Sequence, residues 1–373
     1  MIKVLNVITD TNIGGAGNVL LNFMSKTDRA EFEHTVILPE SAMLTPRLHG
    51  LGINTVEMPG IADQSFSPGA ISAFRNIYEQ IGPDVVHTHA SLSARIAAKR
   101  WGKCGIVHTR HCAYPQGRMK TSFPMKQALG FINNHLSDKI IAISPSTRDS
   151  LVSTGTDGRK IVTMFNGVEP VRKLSDDEKK SVRESLGIEN QFVCAIVARL
   201  VQEKGHTYII EAADILRELP IRFIIAGGGP LEAALKADVA ARGLDNCVFT
   251  GFLDDVAPVD NITDLQLNAS YLTETSSLSL LEGMSLGTPA VATDIGGNPY
   301  LVSDEKNGLI VPQRDSAALA GAIRKLYENP DTLERMGKNA LLAYNERFNS
   351  AAMASGIEDV YRDALEVKSG KRK

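Results

Sequence analysis

The chain is 373 residues long, about twice the length of a usual domain, so we expect two domains of similar size. Its 40 basic and 43 acidic residues give a net charge of −3, which offers no reason to expect nucleic-acid binding. Hydrophobic residues make up 43% of the chain and charged residues 22%, and these ordinary values exclude a wholly disordered or collagen-like protein.

Signals for export or membrane insertion are not evident in the sequence. Residues 1–8 have the pattern of a strand without a basic-then-apolar leader, and no apolar run long enough to span a membrane follows. Four cysteines are scattered without a Cys-x-x-Cys pair, which favours buried, reduced thiols: Cys104, Cys112, Cys194 and Cys247. We therefore expect a cytoplasmic protein.

Short apolar runs rich in Val and Ile recur along the chain, separated by segments with helical spacing, and this pattern is typical of parallel sheets flanked by helices. The first series of predicted strands is 2–8, 34–38, 54–58, 84–88, 105–109, 139–143 and 161–164. The second series is 192–197, 222–226, 246–250, 264–268, 289–293 and 309–311. Two such series indicate two α/β domains.

Residues 169–190 separate the two series and are rich in Lys, Asp and Glu, which predicts a linker and the first helix of the second domain. The expected fold is two facing Rossmann-like domains, residues 1–168 and 169–348, with a deep cleft between them. Residues 349–373 have helical spacing and would pack back on one of the domains. Because ligands of such sheets bind beyond the carboxyl ends of the strands, we look for functional residues there.

A glycine-rich segment that includes Gly14, Gly15 and Gly17 follows the first strand, and an amphipathic helix is predicted from about Val19. Glycines between a strand and a helix let the backbone approach a phosphate. A third glycine at the dinucleotide spacing is missing, and no clear acidic residue follows the second strand, which argues against an NAD site. A structural tight turn is the alternative interpretation.

Four histidines lie near the ends of two predicted strands: His87, His89, His108 and His111. Neutral imidazole suits zinc or iron, and His87 and His89 share one face of their strand. Only Cys112 accompanies them at ligand spacing, so buried structural histidines are the competing interpretation. His111, just past a strand end, is the best placed of the four to meet a polar ligand.

Two cations, Arg199 and Lys204, follow the first strand of the second series in a loop that leads into a helix. An arginine fork and a lysine point charge could hold an anionic group from two directions. A solvated surface pair is the alternative interpretation.

The segment from Glu274 to Pro289 carries a second polar cluster. Three serines suit the N-terminus of a helix: Ser276, Ser277 and Ser279. Glu274, before this helix, and Glu282, inside it, are placed to accept hydrogen bonds from hydroxyls, while helix N–H groups suit phosphate oxygens. Two surface glutamates are the alternative interpretation.

Together these residues resemble a retaining glycosyltransferase of family 4, which has the two-domain glycosyltransferase-B (GT-B) fold. The resemblance covers nearly the whole chain, and its most specific part is the Glu-x7-Glu signature from Glu274 to Glu282 with the Gly-x-Pro and Gly-Gly that follow. The chain departs from the family pattern where Thr275-Ser276-Ser277 replaces Gly-Phe-Gly and where Tyr300 replaces a glutamate.

The resemblance implies a role for each of these residues. Glu282 would bind the ribose hydroxyls of a nucleotide-sugar donor, and both Glu274 and His111 would meet the transferred sugar. Arg199 and Lys204 would hold the diphosphate. The remaining donor contacts would come from Gly14, Gly15, Asn166, Leu253, Ser276, Ser277, Leu278 and Ser279. By the same similarity, the final helix would cross back onto the N-terminal domain.

The implied reaction moves a hexose from a UDP-sugar to a hydroxyl acceptor, a bacterial cell-surface polysaccharide or glycolipid, with retention at the anomeric carbon. Two cations in a closed site stabilise the leaving diphosphate, so no metal or other cofactor is expected. The sequence agrees in that it contains no Asp-x-Asp motif. The leaving phosphate would take the acceptor proton on the same face, and Glu274 as a covalent nucleophile is the alternative.

Other functions remain as alternatives to sugar transfer. A nucleotide-sugar 2-epimerase has the same fold and binds the same donor. A non-catalytic two-domain sugar-binding protein shares the α/β halves but is usually exported. An NAD oxidoreductase needs the full glycine fingerprint.

The sequence also predicts weak, reversible contact with an anionic membrane surface, at the inner face of the cell membrane. Arg118, Lys120 and Lys126 flank an apolar set made of Met119, Phe123, Met125, Leu129 and Phe131, and residues 368–373 form a basic tail. Basic residues beside an apolar face attract anionic lipid. A solvated helix and tail are the alternative.

Overall fold

The computed structural model describes residues 1–112 and 117–370, apart from the Arg118 side chain. The chain divides into two compact units, one made of Met1–Gly167 with Asn349–Lys373 and the other of Val168–Phe348. Each unit contains one parallel sheet with helices packed against it, so the predicted pair of Rossmann-like domains is confirmed.

Seven strands form the first sheet: β1 (Ile2–Ile8), β2 (Phe32–Pro39), β3 (Asn54–Met58), β4 (Val85–His89), β5 (Gly105–Arg110), β6 (Lys139–Ala142) and β7 (Ile161–Thr163). Their order is β3-β2-β1-β4-β5-β6-β7. Val7 of β1 lies beside Ile37 of β2 and Thr88 of β4. The strand order reverses between β1 and β4, which is where sheets of this kind bind ligands.

The helices of this unit that precede the second sheet are α1 (Gly15–Lys26), α2 (Leu44–Gly50), α3 (Ala70–Ile81), α4 (Leu92–Trp101), α5 (Arg118–Thr121), α6 (Met125–Leu136) and α7 (Pro145–Ser153). The packed side chains of the sheet and of α3 and α4 form one hydrophobic core, which includes Leu5, Phe74 and Tyr78. Because helices cover both faces, the central strands are almost wholly buried, as in β1 and β4.

Six strands form the second sheet: β8 (Phe192–Val197), β9 (Ile221–Ala226), β10 (Cys247–Gly251), β11 (Leu265–Asn268), β12 (Ala290–Thr293) and β13 (Gly308–Val311). Their order is β10-β9-β8-β11-β12-β13. Ala195 of β8 pairs with Ile224 of β9 and Gln266 of β11, so this order also reverses at the first strand of the unit. The ends of all thirteen strands lie within two residues of the predicted ends.

The helices of the second unit are α8 (Asp176–Ser185), α9 (His206–Ile215), α10 (Glu232–Ala241), α11 (Ala257–Asp260), α12 (Leu278–Leu286), α13 (Asn298–Leu301), α14 (Ser316–Tyr327) and α15 (Pro330–Ala343). Helix α8 lies inside the predicted linker and begins with a capping box. The Ser175 hydroxyl accepts the Glu178 N–H, and the Glu178 carboxylate accepts the Ser175 N–H. This reciprocal pair satisfies two backbone donors and defines the start of the helix.

The chain ends in α16 (Ser350–Lys368), which packs on α1 and β5 of the first unit. Gly105 of β5 lies directly against Ala364, which leaves little room for a side chain. The Glu358 carboxylate accepts hydrogen bonds from the Thr27 hydroxyl at 3.0 Å and the Asp28 N–H at 2.7 Å. These contacts place the final helix on the N-terminal sheet, as the resemblance implies.

One predicted element boundary is wrong. Helix α1 begins at Gly15, not near Val19, with Gly14 as its N-cap. A Cβ on Gly17 would lie 3.1 Å from Leu44 Cδ1, so this glycine serves the close packing of α1 against α2. The glycine-rich segment is therefore mainly the first turn of the helix and not a preceding loop.

All four cysteines are free thiols, but only Cys104 and Cys194 are buried. Cys112 lies in the segment after β5, and Cys247 begins the edge strand β10, so both are partly exposed. The prediction that all four are buried is wrong for these two. A residue after a strand end or on an edge strand has a neighbouring strand on one side at most, so its side chain is less completely covered.

Candidate active site

Lys204 and Glu274 form an ion pair at the carboxyl end of the second sheet. Lys204 ends a short 3₁₀ turn (Gln202–Lys204) after β8, and Glu274 lies between β11 and α12. The Lys204 Nζ atom is 2.7 Å from Glu274 Oε2, and the side chains are 22% and 7% exposed. Because β8 and β11 are neighbours in the sheet, residues 70 positions apart in the chain meet here.

Both oxygens of the Glu274 carboxylate accept hydrogen bonds. Besides Lys204, Oε2 accepts from Asn268 Nδ2 at 3.2 Å and Ser270 Oγ at 3.0 Å, and Oε1 accepts the Thr275 N–H at 3.2 Å. Burial raises the pKa of Glu274, but the Lys204 charge and the bonds from Lys204, Asn268 and Ser270 outweigh it and hold the pKa below its ordinary value. Glu274 is therefore an ionised carboxylate at neutral pH.

Sequence reasoning missed Asn268 and Ser270, although they bind Glu274 directly. Asn268 is the last residue of β11, and Ser270 comes just after it. The available signal was their position, since polar residues at the carboxyl end of an otherwise apolar strand face the site in this fold.

Gly205 brings the Lys204 turn against the loop that follows β11. Its φ is +68°, and a Cβ there would collide with the Ala269 carbonyl. A side chain at this position would separate the two loops, so glycine is needed for Lys204 to reach Glu274.

Gly296 and Gly297, the Gly-Gly of the signature, are also needed because another backbone segment lies close to them. Gly296 lies against the Glu274 carbonyl and Gly297 against the Thr275 carbonyl, where a Cβ has no space. The Gly297 N–H donates to the Glu274 carbonyl at 2.9 Å. These glycines therefore hold the backbone on either side of the Glu274 side chain.

Helix α12 begins beside this carboxylate with Ser277 as its N-cap. Ser277 Oγ makes no side-chain capping bond and lies 3.1 Å from Ser279 Oγ. The Ser276 hydroxyl is buried and has no hydrogen-bond partner among the described residues. The first turn, which includes Leu278, therefore presents unpaired donors and the positive end of the helix dipole, a combination that suits an anion.

Glu282 lies in the middle of α12 and is half-buried. Burial raises its pKa to about 7. The neighbouring Asp260, at the end of α11, is fully buried, and burial together with the Glu282 charge raises the pKa of Asp260 well above its ordinary value. Glu282 therefore changes its charge near neutral pH, in contrast to Glu274.

Arg199 is exposed, and the structure does not place it on Glu274. Its backbone is nevertheless held firmly, because Gly227 lies against the Ala198 carbonyl and Gly229 against the Leu200 carbonyl. The Leu200 N–H also donates to the Gly228 carbonyl at 2.9 Å. The triple glycine after β9 thus serves the packing of the loop that carries Arg199.

Leu253 follows β10 and is half-buried against the core residues of β8 and β9. The preceding Phe252 is 74% exposed, and a Cβ on Gly228 would lie 3.5 Å from Phe252 Cβ. The exposed phenyl ring, which belongs with Leu253 to the loop that the resemblance assigns to the base, therefore lies at the carboxyl edge of this sheet.

In the first unit, Gly14 and Gly15 are exposed at the N-terminus of α1. No atom lies within 4 Å of a Cβ built on either glycine. The backbone there is open on one side, which lets a ligand approach the first N–H groups of a 12-residue helix.

His111 and Asn166 also belong to the first unit and line the same small void beside α1 and α16. His111 follows β5 and is half-buried, whereas Asn166 follows β7 and is buried. Burial and the nearby Arg110 lower the pKa of His111 to about 4, so its imidazole is neutral at physiological pH. A neutral ring offers one donor and one acceptor.

The other histidines of the cluster are buried and bonded to protein groups. His87 contacts Tyr361 Oη at 2.8 Å and Thr109 Oγ1 at 2.7 Å, and His108 Nδ1 contacts the Thr88 carbonyl at 3.2 Å. Within residues 1–112 and 117–370, no three His, Cys, Asp or Glu side chains are grouped as metal ligands. The interpretation of structural histidines fits His87 and His108.

Two family models match the chain, one in each unit. Glycosyltransferase family 4 matches residues 13–172, and glycosyl transferases group 1 matches residues 178–342. The putative glycosyltransferase EpsD of Bacillus subtilis is 28% identical over 326 residues, which cover 81% of this chain and 83% of EpsD. The O-antigen chain mannosyltransferase C of Escherichia coli is 28% identical over 321 residues, covering 83% and 82% of the two chains.

Solved structures share the fold. HepE of Anabaena, solved in complex with UDP-glucose, superposes with a TM-score of 0.82 at 20% identity and covers 96% of this chain and 99% of its own. Each unit contains one parallel sheet and matches one of the two family models. The Glu-x7-Glu segment lies in the second unit, in the region that the group 1 model covers. The chain belongs to family 4 of the glycosyltransferases and is an enzyme with the GT-B fold.

Proposed function

We propose that this glycosyltransferase transfers a hexose from a UDP-sugar to a hydroxyl acceptor with retention of the anomeric configuration, and that it needs no metal ion. The observation that carries the proposal is the ion pair between half-buried Lys204 and buried Glu274, beside the N-terminus of α12, which has no side-chain cap. This arrangement places a cation, a fixed carboxylate and unpaired donors within one loop cluster. A sugar diphosphate requires these groups, since it carries anionic phosphates and neutral hydroxyls.

The diphosphate end of the donor would bind to the positive groups of this cluster. Among the described residues the Lys204 ammonium bonds Glu274, and the Arg199 side chain is exposed on a backbone that is firmly held. The Ser276 hydroxyl and the first N–H groups of α12 would donate hydrogen bonds to the remaining phosphate oxygens. HepE, which is solved with UDP-glucose, supports a uridine nucleotide as the donor. We further propose that Gly14 and Gly15 donate backbone N–H groups to the diphosphate.

The nucleoside and sugar ends would be recognised by other groups. Glu282, when ionised, would accept hydrogen bonds from the ribose hydroxyls, and Leu253 would lie against the base. Ser277, Leu278 and Ser279 would complete the donor contacts at the start of α12. On the sugar, Glu274 would accept a hydroxyl hydrogen, and His111 and Asn166 would provide further polar contacts.

The geometry of Glu274 favours one retaining mechanism over the other. A cation and two further donors hold its Oε2 atom and the Thr275 N–H holds Oε1, and this stabilisation of the negative charge makes the carboxylate a weaker nucleophile. Glu274 therefore acts as an electrostatic and orienting group in this proposal. The departing phosphate oxygen takes the proton of the acceptor hydroxyl on the face that it leaves, and the new bond forms on that face.

The cations would stabilise charge that develops as the donor bond breaks. Negative charge grows on the terminal phosphate oxygens during departure, so a preorganised Lys204 stabilises the transition state more than the ground state. Because these cations supply the positive charge, divalent metal would change the rate little.

The acceptor we propose is a saccharide or lipid-linked intermediate of bacterial cell-surface polysaccharide, at the inner face of the cell membrane. The support comes from the similarity to the O-antigen chain mannosyltransferase of Escherichia coli.

Thermal-shift measurements against a panel of nucleotide sugars would identify the donor. A ligand at a hundredfold excess over its Kd stabilises by about 2.7 kcal/mol, which gives a clear rise in Tm. With that donor and a saccharide acceptor, NMR of the product should show the anomeric configuration of the donor, and EDTA should leave the rate unchanged. Inversion, or activity that EDTA abolishes and a divalent metal restores, would contradict the proposal. Conversion of the donor sugar without acceptor would indicate an epimerase.

A further inference from the structure

Beside His111, the first unit contains a buried histidine with an unusual set of partners. His89 is the last residue of β4, and His111 follows β5, the neighbouring strand. The His89 Nδ1 atom lies 2.8 Å from His111 Nε2, while His89 Nε2 is buried with no partner among the described residues. A single hydrogen bond therefore joins His89 to its surroundings through the ring.

The His89 ring lies between two other histidine rings, tilted against His87 and stacked on His111, which restricts its rotation. The centroid of His89 is 4.4 Å from that of His87 and 5.1 Å from that of His111. His87 is itself held on both ring nitrogens by Tyr361 and Thr109. Tyr361 belongs to α16, so the final helix helps to hold the His87 ring in place.

Both members of the His89–His111 pair are neutral, because burial lowers the pKa of each. One nitrogen of the bond must then donate and the other must accept. If His89 carried its proton on Nε2, that buried N–H would have no acceptor in the part of the chain that the structure describes, and buried N–H groups without partners are rare. The network therefore favours a proton on His89 Nδ1, donated to His111 Nε2. His111, with Nε2 occupied as an acceptor, then carries its own proton on Nδ1.

We propose that His89 is a positioning residue that sets the tautomer of His111, so that His111 presents its Nδ1 proton as a hydrogen-bond donor to an oxygen of the transferred sugar. This inference rests on the proposed contact between His111 and the donor sugar. The inference makes His111 Nδ1 a hydrogen-bond donor to the sugar. Because Nδ1 already carries a proton, it does not act as a base.

Two variants of similar polarity separate the role of Nδ1 from that of ring packing. In His89→Asn the amide nitrogen occupies the place of Nδ1 and can still donate to His111. In His89→Gln the amide nitrogen reaches the place of Nε2, and the donor to His111 is lost. His49→Asn is the matched control, since His49 is exposed on α2 and its ring bonds only Thr55 among the described residues.

The test is ¹⁵N NMR of the full chain labelled at its eight histidines, which reports the protonated nitrogen of each ring directly. We expect His111 to be protonated on Nδ1 in the wild type, in His89→Asn and in the control, and to lose this single tautomer in His89→Gln. The KM for the donor should rise about tenfold in His89→Gln with kcat changed less than about threefold, the size expected for one lost hydrogen bond.

A wild-type His111 protonated on Nε2, or a His111 spectrum in His89→Gln that matches the wild type, would overturn the inference. The spectra are read without substrate, so they are independent of the proposed function. If they show the expected tautomers while His111→Ala leaves the donor KM unchanged, the sugar contact is wrong and the role of His89 as a positioning residue toward the donor falls with it. The tautomer assignment would then stand as a structural result only.

Discussion

At the scale of single residues, two carboxylates of one signature have opposite electrostatic environments. Glu274 is held ionised by Lys204 and hydrogen bonds, whereas burial moves the pKa of Glu282 to about 7. Groups whose environments separate their pKa values in this way take different parts in one site. Glu274 provides a fixed charge at all physiological pH values, and Glu282 provides one that depends on pH.

Replacement of Lys204 or Arg199 by alanine should reduce kcat by roughly 10²–10³, the size seen for the loss of one preorganised oxyanion donor, while donor affinity falls less. Steady-state kinetics would measure both. Lys236→Ala is the matched control, because Lys236 is an exposed lysine on α10 that pairs with Glu232. Wild-type turnover in both variants would remove the two cations from the chemistry.

The same pair of variants should differ in their dependence on pH. Lys204→Ala removes the main group that lowers the pKa of Glu274, so burial would raise that pKa and residual activity should fall as the pH is lowered. Arg199→Ala leaves the Glu274 contacts intact and should keep the wild-type profile. Identical profiles in the two variants would contradict the assigned role of Lys204.

Donor binding should strengthen as the pH rises through about 7, the pKa of Glu282. Ribose hydroxyls donate to the ionised carboxylate, so binding is weak while Glu282 is protonated and levels off once it is ionised. Calorimetric titration with the nucleoside diphosphate between about pH 6 and about pH 8 would measure this rise. In Glu282→Gln the affinity should be lower by a factor corresponding to roughly 1.5–3 kcal/mol and flat with pH. A pH dependence that persists in the variant would assign it to another group.

At the scale of elements, glycines decide how closely the loops of the second sheet approach each other. Gly205 and Gly243 both have φ in the left-handed region, at +68° and +63°. Of the two, only Gly205 lies against the backbone of another loop, at the Ala269 carbonyl. Substitution of Gly243 therefore tests backbone strain alone, whereas substitution of Gly205 tests backbone strain together with a steric clash.

Gly205→Ala should lower the free energy of unfolding by more than Gly243→Ala, and it should also reduce kcat because Lys204 moves away from Glu274. Gly243→Ala carries only the strain of a left-handed residue, about 1–2 kcal/mol. Chemical denaturation would give the two stabilities, and kinetics would give the activities. Equal losses of stability with unchanged turnover in both variants would show that crowding at Gly205 does not position Lys204.

Helices α5 and α6 and the residues between them expose several large apolar side chains. Met119, Phe123 and Phe131 are 72%, 80% and 66% exposed, and Lys120 and Lys126 lie beside them. The Arg118 side chain and residues 371–373 of the predicted basic tail lie outside the described residues. Within the described ranges, the helices are too short or too polar to cross a membrane.

We predict that this segment binds anionic vesicles weakly and reversibly, since apolar insertion and attraction of about 1 kcal/mol per basic residue act together. Sedimentation at low salt would measure it, and Phe123→Ser with Phe131→Ser should reduce the bound fraction to that seen with neutral vesicles. Phe66→Ser is the control, because Phe66 is 51% exposed outside this segment. Equal binding of the wild type to anionic and neutral vesicles would contradict the prediction.

At the scale of the whole molecule, the strands could be predicted because both faces of a parallel sheet are buried, which leaves continuous apolar runs in the sequence. Sites such as Glu274 and Glu282 could be found because both lie in one contiguous segment with a distinct spacing. The contacts made by Asn268, Ser270 and His89 could not be predicted in this way. The first two depend on how the loop after β11 folds back on Glu274, and the third depends on which residues of β4 and β5 lie side by side.

The sequence by itself determined the two α/β halves, the order of their strands along the chain and the family signature, because local periodicity and short motifs encode these features. Only the tertiary structure decided that Lys204 rests on Glu274 while Arg199 stays exposed, that α1 begins at Gly15, and that His89 bonds His111. The physical reason is that these contacts join residues from different loops and strands. Their geometry depends on how separate backbone segments pack together, as Gly205 packs against Ala269. The sequence of one segment alone does not specify such packing.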